Sequence, residues 1–214
     1  MYKLTSMVLE NAFITPYKKV IINKTLASGI CKTCNVKNTE RHILGWCKEI
    51  NYDLIQRHDI VVDEVYKEII KERLNDDYDY SRKFIQFAGG FLEKGKVIGS
   101  ILKDKYLNNR SLKPDIVYVS ISEVLIIDVN ICLEGRMKSN YNEKYNKYLK
   151  LALEQKRLHN IKKFRIIPVI FNIYGIIYER SRSELERFQL KLDYNKLFRE
   201  ILVKEVNILI KQNN

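Results

Sequence analysis

The sequence predicts an α/β domain built on a mixed sheet flanked by helices, with a small Cys/His module on its N-terminal side. Three observations predict it. Residues 116–120, 124–131 and 164–171 are dense in β-branched and aromatic side chains. Between and after them lie stretches whose apolar residues recur at helical spacing. Ahead of both, Cys31, Cys34, His42 and Cys47 crowd into one short segment.

Residues 1–28 mix apolar and basic side chains, with Pro16 interrupting any helix and Gly29 closing the segment. They are expected to be a linker or remnant, followed by a zinc module over 29–52, a core over 53–180 and C-terminal helices over 181–214. The first long helix is expected after His58. Asp59 stands where an N-cap would, and Ile60, Val61, Val65, Ile69 and Ile70 form the apolar stripe before Asn75-Asp76-Asp77 ends the run. Residues 83–100 are ambiguous, being broken by Gly89, Gly90, Gly95 and Gly99. The two strands 116–120 and 124–131 are joined by a short polar step. A polar-aromatic helix follows over 140–159, then a buried strand over 164–171, extended through 173–178. A helix over 181–190 after a Ser cap and one over 194–211 close the chain. In the latter Leu197, Phe198, Ile201, Leu202, Val206 and Leu209 share a face. Helix, strands, helix, strand, helices make a mixed sheet covered by helices.

Composition narrows the class. A chain of 214 residues, 46% hydrophobic with only 3 Pro and 8 Gly, can bury a core and is not mainly disordered. No uncharged apolar run approaches the ~18 residues a membrane span needs. The opening Met1-Tyr2-Lys3-Leu4-Thr5 lacks a signal peptide's apolar stretch, so a disulfide scaffold built for export is not expected. The formal charge of +12 points to a polyanion, either nucleic acid or an anionic membrane surface. AT-rich coding, which favours Lys with Ile, Asn and Tyr, explains such a charge equally well. The charge gains meaning where it surrounds groups that handle phosphate.

Cys31-x2-Cys34-x7-His42-x4-Cys47 supplies three thiolates and one imidazole, the donor set of tetrahedral zinc. With all four positions filled by protein, the ion would be structural, and so short a region would depend on it to fold. Lys32, Lys37, Arg41 and Trp46 give the module cationic and stacking groups suited to nucleic acid. Trp46 reads equally well as a packing residue.

A second constellation carries the chemistry. Lys113-Pro114-Asp115 opens the first strand and Asp128 lies late in the second. A hairpin turning at Ile121 and Ser122 sets Asp115 opposite Asp128, with Cα atoms about 4.5–5.5 Å apart on one face. Two carboxylates that close need a cation between them, and oxygen donors suit Mg²⁺ or Mn²⁺. Asp115 could simply begin a turn after proline. Asp128 sits in Leu125-Ile126-Ile127-Asp128-Val129, where an unpaired charge is costly. On the next helix Lys144, Lys147 and Tyr148 share a face. A lysine there could orient or deprotonate water and stabilise charge on a phosphorane-like transition state; the plainer reading is a solvated face. Gly90-x4-Gly95-Lys96 has P-loop spacing, but Val97 replaces the required Ser or Thr. Cys132 is expected in the core, and His159 as a cation ending a helix.

The PD-x12-D spacing resembles that of the PD-(D/E)xK nucleases, with Asn130 in place of the usual lysine two residues after the second acid. Together with the upstream CCHC module, residues 26–179 resemble the C-terminal part of R-two-type non-LTR retrotransposon polyproteins, through Arg57-His58-Asp59, Lys113-Pro114-Asp115, Asp128, Lys144-x2-Lys147-Tyr148 and Ile167-Pro168-Val169. That resemblance implies a restriction-endonuclease-like fold that nicks target DNA so that the freed 3′ hydroxyl primes reverse transcription. It implies Mg²⁺ on Asp115 and Asp128, catalysis by Lys144 in place of the strand lysine, and support from Lys147 and Tyr148. Arg57, His58, Lys113 and Trp46 would contact nucleic acid, while capping accounts for Asp59. Partners would be target DNA, the element's own RNA and a reverse transcriptase domain in the parent polyprotein, in the nucleus and with no membrane. No polymerase fits within this length, so a fragment or degenerate copy is expected. The competing expectation is a catalytically decayed protein that keeps its zinc and basic surface.

Overall fold

The computed structural model describes residues 15, 21–22, 29–73, 100–102, 114–119, 123–158 and 163–212. A small hairpin, β1 (Ile30–Cys31) and β2 (Val36–Lys37), leads into a short helix α1 (Glu40–Trp46) and a 3-10 turn at Lys48–Ile50. The long helix α2 (Asn51–Arg73) follows, then β3 (Ser100–Leu102), β4 (Ile116–Val119) and β5 (Glu123–Cys132). A 3-10 turn at Glu134–Arg136 starts α3 (Met137–Leu158), and β6 (Lys163–Asn172), α4 (Glu179–Arg187) and α5 (Tyr194–Lys211) complete the chain. The mixed α/β character is as expected. Apart from the β1–β2 hairpin, the other four strands form one sheet in the order β3-β4-β5-β6, antiparallel except for the parallel β5–β6 pair that α3 connects. No described helix is long and apolar enough to cross a membrane.

Alternation along the strands divides the core. Leu125, Ile127, Val129 and Ile131 of β5 join Val61, Val65 and Ile69 of α2, Leu185 of α4 and Leu197 and Ile201 of α5 in one cluster. On the opposite face Cys132 and Ile170 pack with Met137 and Tyr141 of α3, so the expected core place of Cys132 holds. Tyr145 lies against the same group.

Three boundaries differ from expectation, each for a local reason. Helix α2 begins at Asn51 instead of after His58, because the 3-10 turn runs straight into it. Its first two turns look polar in sequence, yet they pack on the Cys/His module and α5 through Leu54 and a neutralised Arg57. Residues 173–178 do not extend β6. Asn172 Oδ1 accepts from Tyr174 N (3.0 Å) and Ile176 N (2.9 Å), turning the chain back so that Ile177 bridges Phe171. Gly175 has φ +83° in this turn, and a Cβ there would stand 3.1 Å from the Cα of Phe198. Finally, no Ser caps α4: Tyr178 is its N-cap, and Ser181 lies buried inside the helix. The Ser181 hydroxyl donates to Pro168 O (2.7 Å) and accepts from Ile170 N (3.1 Å).

The ambiguous stretch 83–100 (apart from Ser100), the P-loop-like glycines, Ile121 and Ser122, Lys113 and His159 lie outside the described residues.

Candidate functional site

The Cys/His module assembles as its spacing predicted. The turn between β1 and β2 places Asn35 at φ 55°, a left-handed position that Asn tolerates, and its N–H closes on Cys31 O at 2.8 Å. That turn brings Cys31 and Cys34 together. Thr39 caps α1 by accepting from His42 N (3.2 Å), which sets His42 in the first turn, and Cys47 follows the helix end. Donor atoms of Cys31, Cys34, His42 and Cys47 all lie within 4.8 Å of one another, so the group could hold a zinc ion. Cys31 and Cys47 sulfurs are 3.7 Å apart, and Lys48 N donates to Cys34 Sγ at 3.4 Å.

The electrostatics suit an ion at the centre. The Lys48 N–H lowers the Cys34 thiol, whereas burial raises that of Cys47 to about 12. Burial also lowers the His42 imidazole against the opposing charge of Glu49. Both His42 ring nitrogens are buried without a hydrogen-bond partner, a costly state that a metal bond would relieve. Trp46 stacks edge-on against His42 at 4.3 Å and is still 52% exposed. It therefore both packs and presents a face to solvent.

The module is no separate bead. Cys31, Ile43, Leu44, Cys47 and Ile50 share one cluster with Ile173 and with Leu202, Val206 and Leu209 of α5. Beneath them Arg57 donates to Leu44 O (2.9 Å) and pairs with Glu205 of α5, both side chains buried. Arg57 is therefore not a nucleic-acid contact: its guanidinium is consumed inside the protein. Burial raises the Glu205 carboxyl to about 7, with Arg57 opposing and Glu40 adding to the rise. Its signal in the sequence was a charge inside the apolar stripe Ile201, Leu202, Val206, Leu209.

The second constellation forms at the start of β4. The register is the expected one: Ile116 faces Ile127 and Val119 faces Val124, so one further step sets 115 against 128. Asp128 is 3% exposed and turns toward α3. Tyr148 Oη donates to its Oδ1 at 2.5 Å, and Lys144 Nζ lies 2.5 Å from Oδ2. The i,i+4 spacing of Lys144 and Tyr148 delivers both to one carboxylate. Lys147 is exposed, its amine 5.0 Å from the Tyr148 ring centroid, on the outer side of that pair. Asp115 bends out of the ladder. Its Oδ2 takes the N–H of Val129 at 2.6 Å, and His58 Nε2 of α2 lies 3.2 Å from the same oxygen. The two carboxylates thus stand at the same strand end, Asp128 held from the α3 face and Asp115 held by the Val129 N–H and by His58 of α2.

Burial raises the Asp128 carboxyl and the negative Asp115 raises it further, against the lowering effects of Lys144 and Tyr148. Burial lowers the His58 imidazole, but its hydrogen bonds and attraction to Asp115 and Asp59 outweigh this and raise it to about 9. A cation added between the two acids would relieve their repulsion, and oxygen donors of this type suit Mg²⁺. Arg57, Glu205 and the His58–Asp115 link were not legible as contacts in the sequence, because each joins segments far apart in the chain. No family model and no curated protein sequence matches the chain.

Proposed function

We propose that the chain is a divalent-metal-dependent DNA endonuclease of restriction-like fold, like those of R-two-type non-LTR retrotransposons, which nick target DNA to prime reverse transcription. The observation that carries this reading is Asp128, a buried acid that the register beyond the Ile116–Ile127 pair sets opposite Asp115, with an amine and a phenol aimed at its two oxygens. Structural needs alone seldom place so many ionisable groups together in a strand end.

Asp115 and Asp128 would hold Mg²⁺, whose positive charge stabilises the charge that builds on the phosphate during attack. Tyr148 fixes the Asp128 carboxylate by its hydrogen bond. Lys144, with 23% of its side chain exposed, reaches the Asp128 carboxylate from the same helix face and orients the attacking water. Lys147, farther out, meets the DNA phosphates, as Trp46 meets a base or sugar face. The zinc module then serves to hold its surface against nucleic acid, whether DNA or the element's RNA. The site of action in this reading is the nucleus, with a reverse transcriptase domain as a partner.

A nicking assay on supercoiled DNA tests the proposal. Mg²⁺ should convert it to the open circle, and Asp128→Ala should lower the rate by about 100-fold or more. DNA affinity should stay nearly unchanged, since lysine and arginine contacts to phosphate carry it. A second reading, a nucleic-acid-binding protein that has lost catalysis, draws on the fact that Asp128 already has a partner on each oxygen. It calls for salt-sensitive binding and no metal-dependent nick. Equal cutting by Asp128→Ala and the parent would remove this site assignment.

A further inference from the structure

We infer that His58 is a positioning residue of the carboxylate centre rather than a contact to DNA: its hydrogen bond to Asp115 Oδ2 leaves Oδ1 as the oxygen offered to a cation. The inference rests on the nuclease reading and assigns one residue within it.

Hydrogen-bond accounting around the ring carries the argument. His58 Nε2 lies 3.2 Å from Asp115 Oδ2, and Nδ1 lies 3.1 Å from Asp59 Oδ1. Both ring nitrogens therefore already point at carboxylates, and neither is left for a phosphate. Asp59 is 59% exposed beside the ring, so the outward face there is acidic, the wrong sign for the DNA backbone. Two donors, Val129 N–H and His58, converge on Asp115 Oδ2, while among the described residues none reaches Oδ1. A carboxylate held by one oxygen has its rotamer fixed and its other oxygen aimed.

The ring is in turn held in place. It follows directly on Arg57, which is locked to Glu205 and Leu44 O in the interior. One turn later Val61 and Val62 enter the core. Helix α2 cannot slide without breaking that buried pair, so the ring presents Nε2 from a fixed position. Groups of this kind, one bond removed from a metal ligand, typically change metal affinity by about 10–100-fold when removed.

The test is Mn²⁺ binding by the zinc-loaded full chain, followed by the paramagnetic resonance signal of free Mn²⁺, with thermal unfolding as the check on folding. The parent should bind Mn²⁺, and Asp115→Ala should abolish binding at the carboxylate centre. His58→Ala should weaken it about tenfold or more. His58→Gln, whose amide nitrogen can occupy the Nε2 position, should stay within about threefold of the parent, whereas His58→Asn, which keeps only a donor near Nδ1, should behave like Ala. If His58→Ala binds within twofold of the parent while Asp115→Ala does not bind, the positioning role is refuted and the nuclease reading stands. A parent that binds no Mn²⁺ removes both.

Discussion

Asp128 shows how much one side chain can ask of its surroundings. A carboxylate at 3% exposure inside a hydrophobic strand must find donors in the protein, and it finds a phenol and an ammonium spaced i,i+4 on one helix. The helical period made that pairing readable in advance, as did the β4–β5 register, because both follow from local geometry. Removing the phenol tests the cost. Tyr148→Phe keeps the packing of a fully buried ring and deletes only the hydrogen bond. It should lower unfolding stability by about 1–3 kcal/mol, read from urea titration, with Lys144 left as the partner of Asp128. A loss smaller than a few tenths of a kcal/mol would mean the phenol contributes nothing net to the fold.

Between elements, the strongest link is the one least visible in sequence. Helix α2 is tied to α5 by the buried Arg57–Glu205 pair and, nearer the surface, by Lys196 to Glu64 (2.7 Å), Lys204 to Gln56 (3.2 Å) and Lys211 to Asp53 (2.5 Å). The exposed bridges contribute little individually, but the buried pair has a pH signature. The Glu205 carboxyl lies near 7 in the fold against an ordinary 4.5, so between those values the folded state holds the extra proton. Stability from this group is greatest below about pH 4.5, falls as pH rises, and levels off above about 7. Glu205→Gln should flatten that part of the urea-midpoint profile between pH 5 and 7.5; an unchanged slope would remove Glu205 as its source. Elements with a clear period, such as α5, the strands β4, β5 and β6 and most of α3, were legible in the sequence, whereas the short strands β1, β2 and β3 carry too few residues to show one. The start of α2 was not, because Asp59 imitates an N-cap and the buried Arg57 reads as a surface residue until Glu205 is seen beside it. Ser181 likewise imitates a cap while its hydroxyl serves the edge of β6.

At the scale of the whole molecule, the Cys/His module shares one cluster with α5 through Cys31, Cys47, Leu202 and Val206, and α5 also packs on the sheet, so module and sheet domain should unfold together. Stripping zinc with a chelator should lower the midpoint of a single thermal transition, by about 10 °C if the ion contributes ~3–5 kcal/mol. Two separated transitions, with the upper one unmoved, would contradict the shared core. Metal analysis should return one zinc per chain. The outer margin of β6 carries a further consequence. Pro168 has no N–H and its carbonyl is taken by Ser181; Ile170 gives its N–H to that same hydroxyl and its carbonyl to Tyr178 N, and Asn172 N–H goes to Ile176 O. From Pro168 to Asn172, every second residue of that border thus has its main-chain groups taken from within. A neighbouring strand finds no open partners along that half of β6, which disfavours fibril growth and sheet-extended pairing there.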